Sequence, residues 1–302
     1  MDLKSKIILI YGPTASGKSD FAIKLAKKIK GEIINADSMQ VYKELKILTA
    51  RPLKKNYQKI NHHLYGFQNG KRGFSTGDWL KLATKKIYEI KNRKKVPILV
   101  GGTGLYFKAL VEGLVEIPNV PEIFRNKVRK LQKKIGQQKF YKKLLKIDPL
   151  IINQIRSTDV QRSIRAYEVK SFTKKSIIEW YNDTRSDFKK KDFYKLIIDF
   201  PRQDLIQKIN ARTIEMFEIG AILEVKSFLK LRISKDRSIS KAIGVSDISE
   251  YLKKKTIKES VIEKISIKTR QYAKRQMTWA RGHMISWKKI KPNQLNKFLK
   301  KV

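Results

Sequence analysis

Cysteine is absent from the 302 residues. That excludes disulfides, thiolate nucleophiles and Cys-based zinc sites. Histidine is nearly absent, with three in the chain, so a His-rich metal site is not expected. Acidic residues are scarce beside basic ones: 27 Asp and Glu face 69 Lys and Arg, for a formal charge of +42. Long hydrophobic runs are missing too. No segment approaches the roughly 20 apolar residues of a membrane-crossing helix. The apolar run after Lys4 and Lys6 is too short for the core of a signal peptide. No repeat, low-complexity linker or heptad seam is found. The expectation is a soluble, cytoplasmic, monomeric protein with no membrane partner.

The chain is long enough for one large domain or a core with a substantial insertion. Its hydrophobic share of 41% suffices for a globular core. The charge points to a polyanionic partner, nucleic acid first. Compositional drift toward lysine explains the excess equally well, so charge alone decides nothing.

The first hundred residues alternate strand and helix. KIILIYG reads as a buried strand, Ser19 to Lys30 as a helix, and GEIINADS as a second strand ending in a carboxylate. Residues 78–92 carry Leu80, Ala83, Ile87 and Ile90 at helical spacing, and VPILV is a third strand running into GGTG. This alternation predicts a parallel sheet covered by helices. The pattern changes after Gly113. IPNVP is a hinge, and from Glu122 to Asp187 only basic helical periods occur. A fourth strand follows, Leu196 to Phe200 closed by Pro201, and the rest reads as helical to the end. The divisions drawn are 1–115 for the first part of the core, 116–192 for an inserted helical domain, and 193–302 for the last core strand and C-terminal helices.

GPTASGKS, Gly12 to Ser19, fits the phosphate-binding template G-x-x-x-x-G-K-[ST] at every position. In such a loop backbone N–H groups converge on phosphate oxygens, and the next helix adds its positive end. Gly12 and Gly17 permit the tight path. Lys18 reaches the terminal phosphates, and the Ser19 hydroxyl can ligate Mg²⁺. Pro13, Thr14, Ala15 and Ser16 complete the loop. The fold class is therefore α/β, a P-loop NTPase-like parallel core with a helical insertion and a helical C-terminal region. Nucleotide hydrolases with this loop commonly place an acid after another buried strand. Here the third strand has none, and Asp37 ends the second. An acid there suits group transfer to an acceptor, as in a small-molecule kinase, more than ATP-driven motion.

GPTASGKS, NADSMQVY (35–42), GGTGLYFKALVEGL (101–114), DVQRSIRAYEV (159–169) and RQYAKRQMTWAR (270–281), all in order, resemble the tRNA dimethylallyltransferase family. The likeness runs from Tyr11 to Arg281. It implies transfer of a dimethylallyl group from dimethylallyl diphosphate to the N6 amine of the adenosine just 3′ of the anticodon, with Mg²⁺ as cofactor. It implies that the insertion grips the anticodon stem-loop and that the loop holds an isoprenoid diphosphate rather than ATP. Lys18, Thr14 and the loop N–H groups would then meet the charge of departing pyrophosphate. The long basic insertion weighs against a metabolite kinase. The intact Lys18, Ser19 and Asp37 weigh against a non-catalytic RNA-binding protein.

On this resemblance Asp37 is the general base, although an Asp there also suits a helix cap. Ser38, Met39 and Gln40 become contacts to the target adenine, with core packing the alternative for Met39. Thr103 lines the channel, and GGTG admits RNA backbone; an ordinary tight turn is the alternative. Gln161, Arg162, Ser163, Ile164 and Arg165 are assigned to tRNA, against the reading that Thr158 and Gln161 form a capping box. Arg125 is a weaker tRNA candidate, and Arg212 a second clamp on the diphosphate. The segment Lys241, Ala242, Ile243, Gly244, Val245 and Ser246 is also assigned to tRNA, with Val245 where the family often has an aromatic. Arg270, Lys274 and Arg281 form one basic stripe, and Tyr272 and Trp279 lie on another face as mostly structural aromatics. His62 and His63 are adjacent, point to opposite faces of a strand, and receive no metal role.

Overall fold

The computed structural model describes residues 3–182 and 184–302. β1 (Ile7–Tyr11) is buried at every position, as its unbroken apolar run requires. The Gly12–Ser19 loop leads into α1 (Lys18–Ile29), and β2 (Gly31–Asn35) follows. A two-residue strand, β3 (His62–His63), precedes α2 (Thr76–Asn92). Ser75 and Asp78 close a capping box at the start of α2, which fixes where the helix begins. Its buried face is Trp79, Ala83, Ile87 and Ile90, and Leu80 only packs against the edge of that cluster. β4 (Val96–Gly101) and α3 (Gly104–Glu112) complete the first half.

Residues 112–187 form a compact unit of their own. It contains α4 (Glu122–Ile135), α5 (Gln137–Ile147), α6 (Val160–Thr173) and α7 (Ile177–Tyr181). Gly136, at φ 77°, joins α4 to α5 in a backbone conformation that few other residues adopt. Val128, Phe140 and Ile164 make one core here, and Tyr141, Leu144, Ile151, Ala166, Val169 and Ile177 a second. Residues 116 and 192 are not where the chain divides. A Cβ on Gly113 would lie 2.1 Å from the Arg185 carbonyl, so the two crossings meet there. Phe188 already stacks edge-on with Phe193 in the first unit's core.

β5 (Phe193–Ile198) rejoins the sheet, and α8 (Arg202–Glu218), α9 (Ala221–Lys230), α10 (Val245–Leu252) and α11 (Lys258–His283) follow. The C-terminal part is not helical throughout. β6 (Lys288–Ile290) intervenes before α12 (Leu295–Lys300). The six strands run in the order β3-β2-β4-β1-β5-β6, all parallel. His62 and His63 read as adjacent strand residues, but two residues show no period that places them in the sheet, and the three of β6 show none either. The exposed Lys288 and Lys289 also suit an edge that must not pair further. With β1 between β4 and β5, the carboxyl ends of β1, β2 and β4 open side by side, where parallel α/β sheets bind ligands. Among the described residues no helix is long and apolar enough to cross a membrane.

Candidate functional site

The loop after β1 is fixed by its own backbone. Gly12 N–H donates to the Gly101 carbonyl at 3.3 Å, and Ser16 N–H to that of Pro13 at 3.3 Å. Ala15 at φ 63° and Gly17 at φ 75° turn the chain left-handed twice. Such alternation aims successive N–H groups into one concavity, which binds anions. The Lys18 ammonium donates to the Pro13 carbonyl at 3.0 Å and so stays folded over the loop. Burial pulls Lys18 down to about 8, Asp37 opposes this, and neighbouring Arg212 adds to it. Arg212, from α8, donates to the Thr14 hydroxyl. Burial lowers its pKa too, with Glu215 and Asp37 opposing. Two recessed cations side by side are costly unless an anion joins them. Arg212 therefore stands at the loop, bonded to Thr14 and close enough to Lys18 to lower its pKa.

Asp37 follows β2 at the same edge, within electrostatic reach of both cations. Its position is set by Asn35, whose side chain accepts from the Asp37 N–H at 2.9 Å and donates to the carbonyls of Asp37 and Leu64 at 3.0 Å each. Asp37 Oδ1 accepts from the N–H groups of Met39 at 2.9 Å and Gln40 at 3.4 Å. The capping alternative is therefore realised as a local turn, and it orients the carboxylate. Burial first, and then Asp37, push the hydroxyls of Tyr11, Tyr106 and Tyr272 upward, so these tyrosines remain neutral beside the acid.

GGTG is not a gap for RNA backbone. A Cβ on Gly101 would meet the Ala36 carbonyl at 2.0 Å, one on Gly102 the Gln276 amide, and one on Gly104 the Trp279 ring at 2.1 Å. The glycines let β2 and α11 close on β4. Thr103 shares in this: its hydroxyl accepts from the Ser38 N–H at 2.9 Å. Met39 packs partly into the core beside Val41 and Tyr42. The Gln40 amide is spent on the carbonyls of Thr49 and Ala50.

Sequence reasoning missed Gln276. It is buried on α11. Its Oε1 accepts from the Thr14 N–H at 2.8 Å, its Nε2 donates to the Gly102 carbonyl at 3.0 Å, and its own carbonyl accepts from the Tyr11 hydroxyl at 2.8 Å. One side chain thus ties the phosphate loop to the β4 loop. The only hint in the sequence was an amide on the apolar side of RQYAKRQMTWAR.

The model of the family described as IPP transferase matches residues 40–283. The chain belongs to the IPP transferase family. It is 59% identical over 302 residues to a tRNA dimethylallyltransferase of Pelagibacter ubique, covering all of this chain and 96% of that one. It is 43% identical over 289 residues to a tRNA dimethylallyltransferase of Allorhizobium ampelinum, covering 94% of each. A solved eukaryotic dimethylallyltransferase acting on tRNA superposes with a TM-score of 0.80 at 30% identity, covering 91% of this chain and 69% of that one.

Within this member of the IPP transferase family the 241–246 segment is mostly core. Ala242 and Val245 are buried with Val41, Tyr42 and Phe228. Ile243 packs against a second cluster, and Gly244, at φ 100°, opens α10 against Leu48 and Ile265. Lys241 and Ser246 are the exposed members. Val245, at the position where the family often has an aromatic, is itself part of this core.

In the 112–187 unit Asp159, not Thr158, caps α6; its carboxylate accepts from the Arg162 N–H at 3.0 Å. Ser163 is buried, donating to the Asp159 carbonyl and accepting from Gln137, and Ile164 lies in the core. Neither side chain faces RNA, since every third or fourth position of an amphipathic helix turns inward. Gln161 and Arg162 are exposed, and Arg165 is half-exposed. Arg125 and Arg165 share one acid, Glu168, at 3.8 and 3.5 Å.

On α11, Lys274 and Arg281 are exposed with Arg270 half-exposed, while Trp279 packs against the central core. His63 bonds Glu32 rather than a partner histidine, and among the described residues no three or more His, Cys, Asp or Glu side chains are grouped so as to hold a metal.

Proposed function

We propose that the chain transfers a dimethylallyl group from dimethylallyl diphosphate to the N6 amine of the adenosine 3′-adjacent to the anticodon in tRNA, releasing pyrophosphate. The observation that carries this reading is one carboxylate, Asp37, beside two recessed cations on a phosphate loop, in a chain whose close relatives bear the name tRNA dimethylallyltransferase. The loop of Gly12, Pro13, Thr14, Ala15, Ser16, Gly17, Lys18 and Ser19 holds the diphosphate, with Arg212 closing over it through Thr14. The target adenosine must leave the anticodon stack to reach it. A bond forms from N6 to the allylic carbon as the carbon–oxygen bond breaks. The electron pair leaves with pyrophosphate, whose charge is met by Lys18, Arg212 and the loop N–H groups. Asp37 takes the N6 proton. The bonds from Met39 and Gln40 both fall on Oδ1, which supports Oδ2 as the proton acceptor in this reading.

The residues present fit a Mg²⁺ ion arriving with the diphosphate. Ser16 Oγ is buried in the loop without a partner, Ser19 stands in the first turn of α1, and Mg²⁺ takes few protein oxygens beside phosphate and water. Ser19 would hold it, and the ion would add positive charge at the leaving group. Exposed Gln161, Arg162, Lys241 and Ser246, with Arg125 and Arg165, are assigned to the tRNA, and the reading takes the enzyme as a cytoplasmic monomer. Incubation of unmodified tRNA with labelled dimethylallyl diphosphate or labelled ATP tests the reading. Label from the prenyl donor is expected on the RNA; label from ATP alone would replace it with a kinase.

A further inference from the structure

Glu168 is an unusual place for an acid. Its side chain is 2% exposed on α6, and Oε1 has no hydrogen-bond partner. Arg125 on α4 and Arg165 on α6 face it, and Arg129, one turn beyond Arg125, lies within electrostatic reach. Burial pushes the Glu168 pKa up, and the three arginines oppose this. One buried carboxylate therefore serves three guanidinium groups.

The distances say what kind of contact this is. A charge-assisted hydrogen bond closes to about 2.7–2.9 Å. Here the pairs stop at 3.5 and 3.8 Å, and the Arg125 Nε is itself buried with no hydrogen-bond partner. Yet the Arg125 and Arg165 side chains are 41% and 40% exposed. Arg125 thus crosses the surface, with Nε inside, toward Glu168, and the exposed part of its side chain outside. A packing salt bridge would close fully and consume its donors; here Arg125 attracts with its Nε unbonded, and Arg165 adds only a long contact and a weak hydrogen bond.

We infer that Glu168 is a positioning residue that holds Arg125, Arg129 and Arg165 as a guanidinium cluster for the phosphates of the RNA substrate. This rests on the tRNA reading above and adds Arg129 and Glu168 to it. The carboxylate acts at a distance: it sets the direction of the forks and offsets part of their mutual repulsion. Bidentate donors held in this way suit phosphate oxygens. The chemistry named is a polynucleotide backbone, since three cations over one acid leave a surplus of positive charge.

Glu168→Gln keeps the shape and removes the charge, and Arg129→Ala alters an exposed side chain. Each should raise the tRNA KM about three- to tenfold, with kcat and the dimethylallyl diphosphate KM unchanged. Fluorescence anisotropy on an anticodon stem-loop should show the same loss, and Arg129→Ala should lower the slope of log affinity against log salt by nearly one unit. The double variant Glu168→Gln/Arg165→Lys should be little worse than either single, because both disturb one cluster. An unchanged or improved affinity in Glu168→Gln would overturn the proposal, since removal of a mere counter-charge strengthens RNA binding. Should Glu168→Gln not fold, an unchanged salt slope in Arg129→Ala overturns it alone. If the wild type neither binds nor modifies tRNA, the functional reading fails; if it does both and the variants match it, only this inference fails.

Discussion

Three side chains, Lys18, Asp37 and Gln276, gather at the sheet's carboxyl edge. Lys18 folds over the phosphate loop, so Lys18→Ala should cut prenyl transfer by orders of magnitude and leave tRNA binding nearly intact. Filter binding beside a turnover assay separates the two; lost RNA affinity with normal turnover would mean that the loop is misassigned. Asp37→Asn keeps the turn made with Met39 and Gln40 and removes basicity. Its kcat should fall by about 10² to 10⁴ with little change in either KM. Wild-type kcat in that variant would reduce Asp37 to a cap. Gln276 touches no reacting atom and acts through Thr14 and Gly102. Gln276→Leu strands a buried N–H and a carbonyl, so stability should drop by about 1–3 kcal/mol in denaturant titration. The diphosphate KM should rise as the loop loosens, and a loss of stability with an unchanged KM would make Gln276 purely structural. Lys18 and Asp37 were legible as candidates, Lys18 from a local template and the general-base role of Asp37 from the family resemblance. Gln276 was not, because its partners lie 262 and 174 residues away.

At the scale of elements, the amino end of β2 carries a cluster remote from the site. Buried Glu32 bonds Arg93 from the end of α2, His63 of β3 at 2.7 Å, and Lys95 at 3.0 Å. Burial pushes its pKa up, but Arg93, His63, Lys95 and Asn61 outweigh it and leave Glu32 at about 2, against an ordinary 4.5. A folded pKa below the unfolded one gives stability that is complete above pH 4.5 and is lost as pH falls toward 2. Glu32→Gln should cost about 2 kcal/mol at neutral pH, a figure reduced because Arg93 and Lys95 stay partly hydrated. The deficit should vanish on acidification to pH 2; an acid-denaturation series checks this, and a deficit constant with pH would mean that lost packing dominates. The strands of five or six residues were readable from the apolar runs within them. The places of β3 and β6 in the sheet were not, since neighbours supply what so short a strand lacks.

For the whole molecule, the charge of +42 makes salt the natural probe. If phosphate contacts dominate, log affinity for tRNA should fall linearly with log salt, by about 0.7 for each single-strand contact. Arg162→Ala and Arg165→Ala should raise the tRNA KM more than the prenyl-donor KM. An affinity indifferent to salt would return the charge to compositional drift. By itself the sequence determined the parallel α/β core, the phosphate-loop template, a helical middle segment and an acid, Asp37, at the end of the second strand, because each is written in contiguous residues or in a short period. It could not separate faces within a motif. Only the tertiary structure put Ser163, Ile164, Ala242 and Val245 inside, gave the GGTG glycines to Ala36, Gln276 and Trp279, and set Glu168 beneath its arginines. A motif records which residues stand together in the chain. Which of them meets solvent, substrate or another part of the protein is decided by what packs against it from far away in sequence.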